Sequence, residues 1–194
     1  MARPREFDRD QALLKARDAF WERGYEGTSI ADLVGTLGLA PARIYAAFGS
    51  KEGLFREAVA LYEAREGGFV ARALKEETTA YGAIERMLRE AVETYTRPGR
   101  PRGCLVVSAV ASCSADNERI RDWLAERRLM QTDAIIARLE RAVREGELEP
   151  ETDALALGDA LAALLNGLSV LARDGVPRAR LFALCGLTTR ALFV

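Results

Sequence analysis

A chain of 194 residues with 49% hydrophobic content has room for a real core, as one large domain or a small one joined to a larger one. A formal net charge of −1 excludes a simple polycation, so any surface for nucleic acid must be local. Histidine is absent, and Cys104, Cys113 and Cys185 stand in no metal-ligand or disulfide-framework spacing, which argues against a catalytic or metal site and leaves no cofactor implied.

Helical periodicity runs through almost the whole chain, and no segment reads as a strand. The fold class expected is therefore all-α. Met1 to Asp10 is charged and reads as no signal peptide, with Arg3 and Arg5 as a short basic arm. Ala12, Leu13, Ala16, Ala19 and Phe20 form one helical stripe, ended by Gly24. Ser29 with Asp32 begins a second, short helix in capping-box fashion, and Ile30, Leu33, Val34 and Leu37 supply its apolar face before Gly38. A third starts at Pro41, whose missing N–H costs nothing in a first turn, and turns Ile44, Tyr45 and Phe48 inward. Ser50 caps a fourth helix beginning Lys51-Glu52, which Gly67-Gly68 kinks or interrupts.

A fifth helix carries Tyr81, Ile84, Leu88, Ala91 and Tyr95, and the Pro-, Gly- and Arg-rich run from Arg97 to Gly103 is a loop. Cys104 to Ser112 is a short apolar helix. Asn117 to Glu145 is a long one, with Trp123, Leu124, Met130, Ile135, Leu139 and Val143 expected to point inward. Thr152 or Asp153 caps the next helix, which runs to Arg173, and Pro177 opens the last. The stretch from Ala154 to Leu171 has the length of a membrane span. Asp159 inside it argues otherwise, since a mid-membrane Asp costs roughly 2.5–3.5 kcal/mol. A buried helix of a cytoplasmic protein, with no membrane partner, is the expectation.

Two short amphipathic helices joined by a tight turn behind a longer one have helix-turn-helix geometry, in which the second enters the major groove. Over residues 1–50 the fold expected is then a three-helix helix-turn-helix domain, with a larger helical domain over 51–194. The wording of the segment is specific. Gly24-Tyr25-x-x-Thr28-Ser29-Ile30-x-Asp32-Leu33, then Leu37-Gly38-Leu39-Ala40, then Ile44-Tyr45-x-x-Phe48-Gly49-Ser50-Lys51-Glu52-x-Leu54-Phe55 resembles the TetR/AcrR family of transcriptional regulators. The resemblance is dense over the first third of the chain and architectural beyond it.

That resemblance implies a dimeric repressor of a pseudo-palindromic double-stranded DNA operator, released by an unidentified small-molecule effector. It implies phosphate contacts from Thr28 and Ser29 at the start of the second helix, from the Tyr45 hydroxyl and from Lys51. Pro41, Ala42 and Arg43 face the groove, with Arg43 able to bond guanine O6 and N7 together. Ala40 stands where Ser or Thr often caps the recognition helix. Ala46 and Ala47 replace larger polar residues, which shifts weight onto Arg43 and DNA shape. Acids nearly balance bases over residues 1–51, so a basic surface there requires Asp8, Asp18 and Glu22 to turn away.

A homodimer needs an apolar helical seam. The last two helices supply it, with Leu161, Leu164, Leu168, Leu171, Leu181, Phe182 and Leu184 as interface candidates; the leucines from Leu155 to Leu171 lie all around their helix, as in a helix buried on two sides. The resemblance places an effector pocket among the middle helices, with Tyr62, Phe69, Met87, Tyr95, Cys104, Val107, Trp123 and Met130 as candidate lining and a mainly apolar or aromatic ligand expected. The fourth helix, beginning at Lys51, is the expected lever between pocket and DNA. Cys104, at a helix start after Arg100 and Arg102, suggests a lowered thiol pKa and a redox- or electrophile-sensing regulator or enzyme as an alternative. A helical adaptor that has lost DNA binding is another. Asn166 is read as a ligand contact or a register-setting polar group at the seam.

Overall fold

The computed structural model describes residues 7–110 and 117–192, and every element in them is helical. The Arg3/Arg5 arm, Cys113 and the expected C-terminal end of the Cys104–Ser112 helix lie outside the described residues.

Helix α1 spans Arg9–Arg23 and is capped by the Asp8 carboxylate, which accepts from the Gln11 N–H. Helix α2 (Ile30–Leu37) starts on the expected capping box, in which Ser29 and Asp32 each satisfy the other's backbone N–H. Gly38, at φ +67°, supplies the left-handed turn into α3 (Pro41–Phe48). The Ser50 hydroxyl accepts from Gly53 to open α4 (Lys51–Ala64). A 3₁₀ turn over Glu66–Gly68 then separates α4 from α5 (Phe69–Glu76). The Gly67-Gly68 pair therefore interrupts the chain and releases a helix of its own.

Helix α6 (Ala80–Tyr95) leads through the Arg-rich loop to α7 (Leu105–Val110), and α8 (Glu118–Arg144) is the longest element. Asp153 caps α9 (Ala154–Arg173), and α10 (Arg178–Leu192) closes the described chain. Met130 departs from the inward face expected of α8: it is 59% exposed.

The buried side chains fall into two clusters. One joins α1–α4 to α7 and the start of α8 through Phe20, Trp21, Phe48, Phe55, Tyr62, Leu105 and Leu124. The other fills the space among α5, α6, α8, α9 and α10 around Phe69, Leu88, Tyr95, Leu139 and Leu168. Cys104 packs against both. The apolar content of α9 thus serves the interior on one side: Leu161, Leu165 and Leu168 are buried within the chain. Among the described residues α9 is the one helix long and apolar enough to cross a membrane, and its face toward Ile135 and Leu139 is core.

Polar ties bolt the two regions together. Arg17 of α1, 1% exposed, places Nη1 2.9 Å from both carboxylate oxygens of Glu66 in the 3₁₀ turn. Its other nitrogens reach Asp18, which also receives Arg100. The Arg173 guanidinium, at the end of α9, donates to the carbonyls of Trp21 and Glu22 at the end of α1.

Candidate nucleic-acid interface and internal cavity

Helix α3 turns Ile44 and Phe48 into the first core, which leaves Pro41, Ala42, Arg43, Tyr45 and Ala46 exposed. Arg43 makes no side-chain hydrogen bond or ion pair with the described residues. Tyr45 departs from the inward face expected of it: one residue past Ile44 it lies about 100° round the helix from the side that meets the core, and it is 46% exposed. Ala40 provides no side-chain cap, as its type predicts, so the first-turn amides of α3 lack a side-chain acceptor from that residue. The other end of α3 is held by Arg9. Its Nη2 donates to the Ala47 carbonyl at 3.2 Å and to Glu57 of α4 at 2.7 Å, and its guanidinium lies 4.5 Å from the centre of the Phe48 ring. Arg9 was not legible as a site residue, because a surface arginine in a first turn carries no signal of its distant partners.

Two expected phosphate contacts differ from expectation. The Thr28 side chain is fully buried, and its hydroxyl donates to the Gly24 carbonyl at 2.8 Å, so it offers nothing to an external phosphate. Thr28 instead locks the α1–α2 turn. Ser29 is exposed, but its hydroxyl is engaged with Asp32. That hydroxyl and the Ser29 N–H hold the Asp32 carboxyl below its usual range. The Lys51 ammonium sits 4.3 Å from the centre of the Tyr25 ring at the start of α4, a cation–π contact that orients it. Asp18 turns toward Arg100, away from α3, in keeping with the sidedness expected of the acids.

Behind this domain, Tyr62, Phe69, Tyr95, Cys104 and Val107 do converge, with Arg128 and Asn166, on an internal cavity of about 30 Å³. That is room for about one water and far below the roughly 300–1,000 Å³ of a drug-sized site. Three other candidates are elsewhere. Met87 is wholly buried in the second core. Trp123 packs its ring against Phe55 and lies under Arg56 on the outside of α4 and α8. Met130 faces a separate shallow groove with Val70 and Ala71. All three follow from the helical period, which marks a face as apolar without saying what it meets.

The cavity is also more polar than expected. Glu63 at its wall is paired with Arg127. The buried Nη1 of Arg128 has no hydrogen-bond partner, and the Tyr62 hydroxyl lies beside the Cys104 thiol without a well-formed hydrogen bond. Burial without a facing carboxylate pulls the Arg128 guanidinium below its usual value. Burial pushes the Cys104 thiol up, against smaller opposing effects from the Val107 N–H and the Tyr62 hydroxyl. The expected lowering by Arg100 and Arg102 does not arise, because Arg100 bonds Asp18 and Arg102 bonds the Ala172 carbonyl.

Comparison with known proteins agrees with this arrangement. Residues 12–58 match bacterial regulatory proteins of the tetR family, and residues 80–182 match the tetracyclin repressor-like C-terminal domain. The chain is 34% identical over 189 residues to the HTH-type transcriptional repressor ComR of Escherichia coli K12, covering 97% of this chain and 90% of ComR. This chain belongs to the TetR family. Its fold superposes with a TM-score of 0.92, at 43% identity over 98% of this chain and 99% of the other, on a cysteine mutant of the TetR family regulator CifR complexed with 26-bp operator DNA. The HTH-type repressor BdcR of E. coli K12 is 28% identical over 98% of this chain and 91% of BdcR. TetR membership makes the chain a transcriptional regulator and not an enzyme.

In this TetR family member the outer surface of α9 and α10 differs from the expected set of seam residues. Leu161, Leu168 and Leu181 are buried in the chain's own second core and have no surface to give a partner. Leu164, Leu171, Phe182 and Leu184 are half-buried. Leu155, Val170 and Leu187, at 61%, 50% and 61% exposure, are the large apolar side chains that α9 and α10 present outward. Small residues Ala160 and Ala163 lie exposed on the same helix.

Proposed function

We propose that the chain is a dimeric repressor that binds a pseudo-palindromic DNA operator and leaves it when a small molecule occupies the internal cavity. Residues 1–50 carry DNA reading, and residues 51–194 carry effector binding and dimerisation, in the cytoplasm. The observation that carries this reading is the outward display of Arg43 and Tyr45 on α3, in a fold that matches a relative solved on its operator.

Arg43 reads a base edge, while Tyr45, Lys51 and the open amides at the starts of α2 and α3 take phosphates. Exposed Leu155, Val170 and Leu187, with Ala160 and Ala163 permitting close approach, form the seam with a second copy. A bound molecule acts through Tyr62 of α4, whose ring meets Trp21 of α1 with centroids 4.8 Å apart. Effector and operator oppose each other only if the effector prefers a second arrangement of α1 and α4. The Cys104 thiol, pushed up by desolvation, favours a cavity that binds its effector over one that reacts through a thiolate.

Fluorescence anisotropy with DNA from upstream of the protein's own coding region, and with sequences selected from a random pool, tests the reading. Tight binding that falls steeply as salt rises is expected. Affinity no greater than for random DNA in both sets overturns it.

A further inference from the structure

The polar groups of the cavity specify what kind of molecule it accepts. Arg128 brings a positive charge to the wall between α8 and α4, and its inward Nη1 is buried with no acceptor. Glu63, the one carboxylate lining that wall among the described residues, is already held by two nitrogens of Arg127. The Tyr62 hydroxyl, on a side chain 1% exposed, is a second donor beside the same space, with the weakly accepting Cys104 sulfur as its neighbouring acceptor. A neutral apolar guest would leave the Arg128 nitrogen unmatched and the Tyr62 hydroxyl with no better acceptor than a sulfur. An anion with two oxygens matches them together, because a guanidinium and a phenol present two O-directed hydrogens.

Resting on the effector reading above, we propose that the cavity binds a small organic carboxylate, with Arg128 as its charge partner and Tyr62 as its second hydrogen-bond donor. This replaces the apolar ligand expected from the inward faces of the helices. The remaining wall, Phe69, Tyr95 and Val107, takes the carbon chain. The cavity of about 30 Å³ must widen to admit it. The 3₁₀ turn at Gly67, which borders the cavity, and the α4 side chains against it are where widening falls.

Isothermal titration of the intact protein with acetate, propanoate and benzoate, each against its neutral amide and against inorganic phosphate, tests the assignment. At least one carboxylate binds and its amide does not. Arg128→Gln weakens that binding by about ten-fold or more, Tyr62→Phe weakens it less, and Arg128→Lys retains part of it. Circular dichroism melts of the unliganded variants establish that each is folded. Binding of the amide as tightly as the acid, unchanged affinity in folded Arg128→Gln, a response to phosphate alone, or no response to any of the three acids overturns it. Operator binding measured on the same samples separates the two readings. Intact operator binding without carboxylate binding removes this assignment alone, and carboxylate binding without operator binding removes the repressor reading alone.

Discussion

The indole N–H of Trp21 donates to the carbonyl of Gly103 at 3.0 Å, so the last turn of α1 hangs on the residue before Cys104. The same indole packs edge-on against Tyr62 at the cavity wall. One side chain of the N-terminal domain thus touches Tyr62, which lines the cavity, and the residue before Cys104, which lines it too. Trp21→Phe keeps most of the packing and leaves the buried Gly103 carbonyl without this donor. A loss of about 1–3 kcal/mol in unfolding free energy is expected, read from urea denaturation.

Gly103 itself has φ +77°, and a Cβ there would lie 2.8 Å from the Ser169 carbonyl oxygen and 3.0 Å from its hydroxyl. Both the backbone conformation and the contact oppose any side chain. Gly103→Ala should cost at least the roughly 1–3 kcal/mol of a strained backbone, plus displacement of α9 from the loop. A lowered melting temperature, with a larger drop than for Gly99→Ala, checks this. Gly99 also has a positive φ, but nothing lies near its added Cβ.

Arg43 and Tyr45 touch little of their own domain, so removing them should change DNA binding and leave the melting temperature where it was. Arg43→Ala should lose about 1–3 kcal/mol on the preferred sequence and accept other bases at one position. Tyr45→Phe should weaken all sequences alike, as loss of a phosphate contact does. Competition binding against a panel of single-base operator variants separates the two patterns. Arg9→Ala belongs to a different class: it frees the end of α3 from α4 and should lower both stability and affinity.

The two sides of α9 predict opposite phenotypes. Val170→Glu or Leu187→Glu, on the outer surface, should turn a sedimenting dimer into a folded monomer. Leu168→Ala, inside the second core, should instead cost about 2–5 kcal/mol of stability. A monomer that is also unfolded for the outer variants would count against that surface as the seam.

Thiol chemistry supplies a pH test. Burial raises Cys104 above the usual thiol value and Cys185 to about 11. A raised value keeps the neutral thiol dominant through neutral pH, so the reactive thiolate is scarce until the solution passes the raised value. Peptide mapping after iodoacetamide treatment should show both sites reacting more slowly than free cysteine at pH 8, with rates that climb as pH rises further. Fast labelling of Cys104 at pH 7 would instead mark it as an activated thiol.

How far the sequence reached depended on how local each signal was. Helix ends were legible because their caps are short-range: Ser29 with Asp32, Gly38, Ser50 with Gly53 and Asp153 all act within four residues. The outward position of Arg43 was legible from motif and period together, whereas that of Tyr45 came from the motif alone, since the period set it beside Ile44 on the inward face. Thr28 and Met130 were misread because one needed the fold of the α1–α2 turn and the other the packing around α8. The partners of Arg9, Arg17 and Arg128 were beyond reach. They depend on which distant carbonyl or carboxylate meets each guanidinium, and Arg128 is informative because its inward nitrogen meets none.

Arg173 carries a consequence for operator architecture. It ties the end of α9 to the end of α1 through the carbonyls of Trp21 and Glu22. In a dimer seated on α9 and α10, the helix that sets the separation of the two copies is also latched to the helix that carries each reading head. The seam then works as a ruler. Substitutions that tilt it without breaking it should change the preferred number of base pairs between half-sites, while each half-site keeps its sequence.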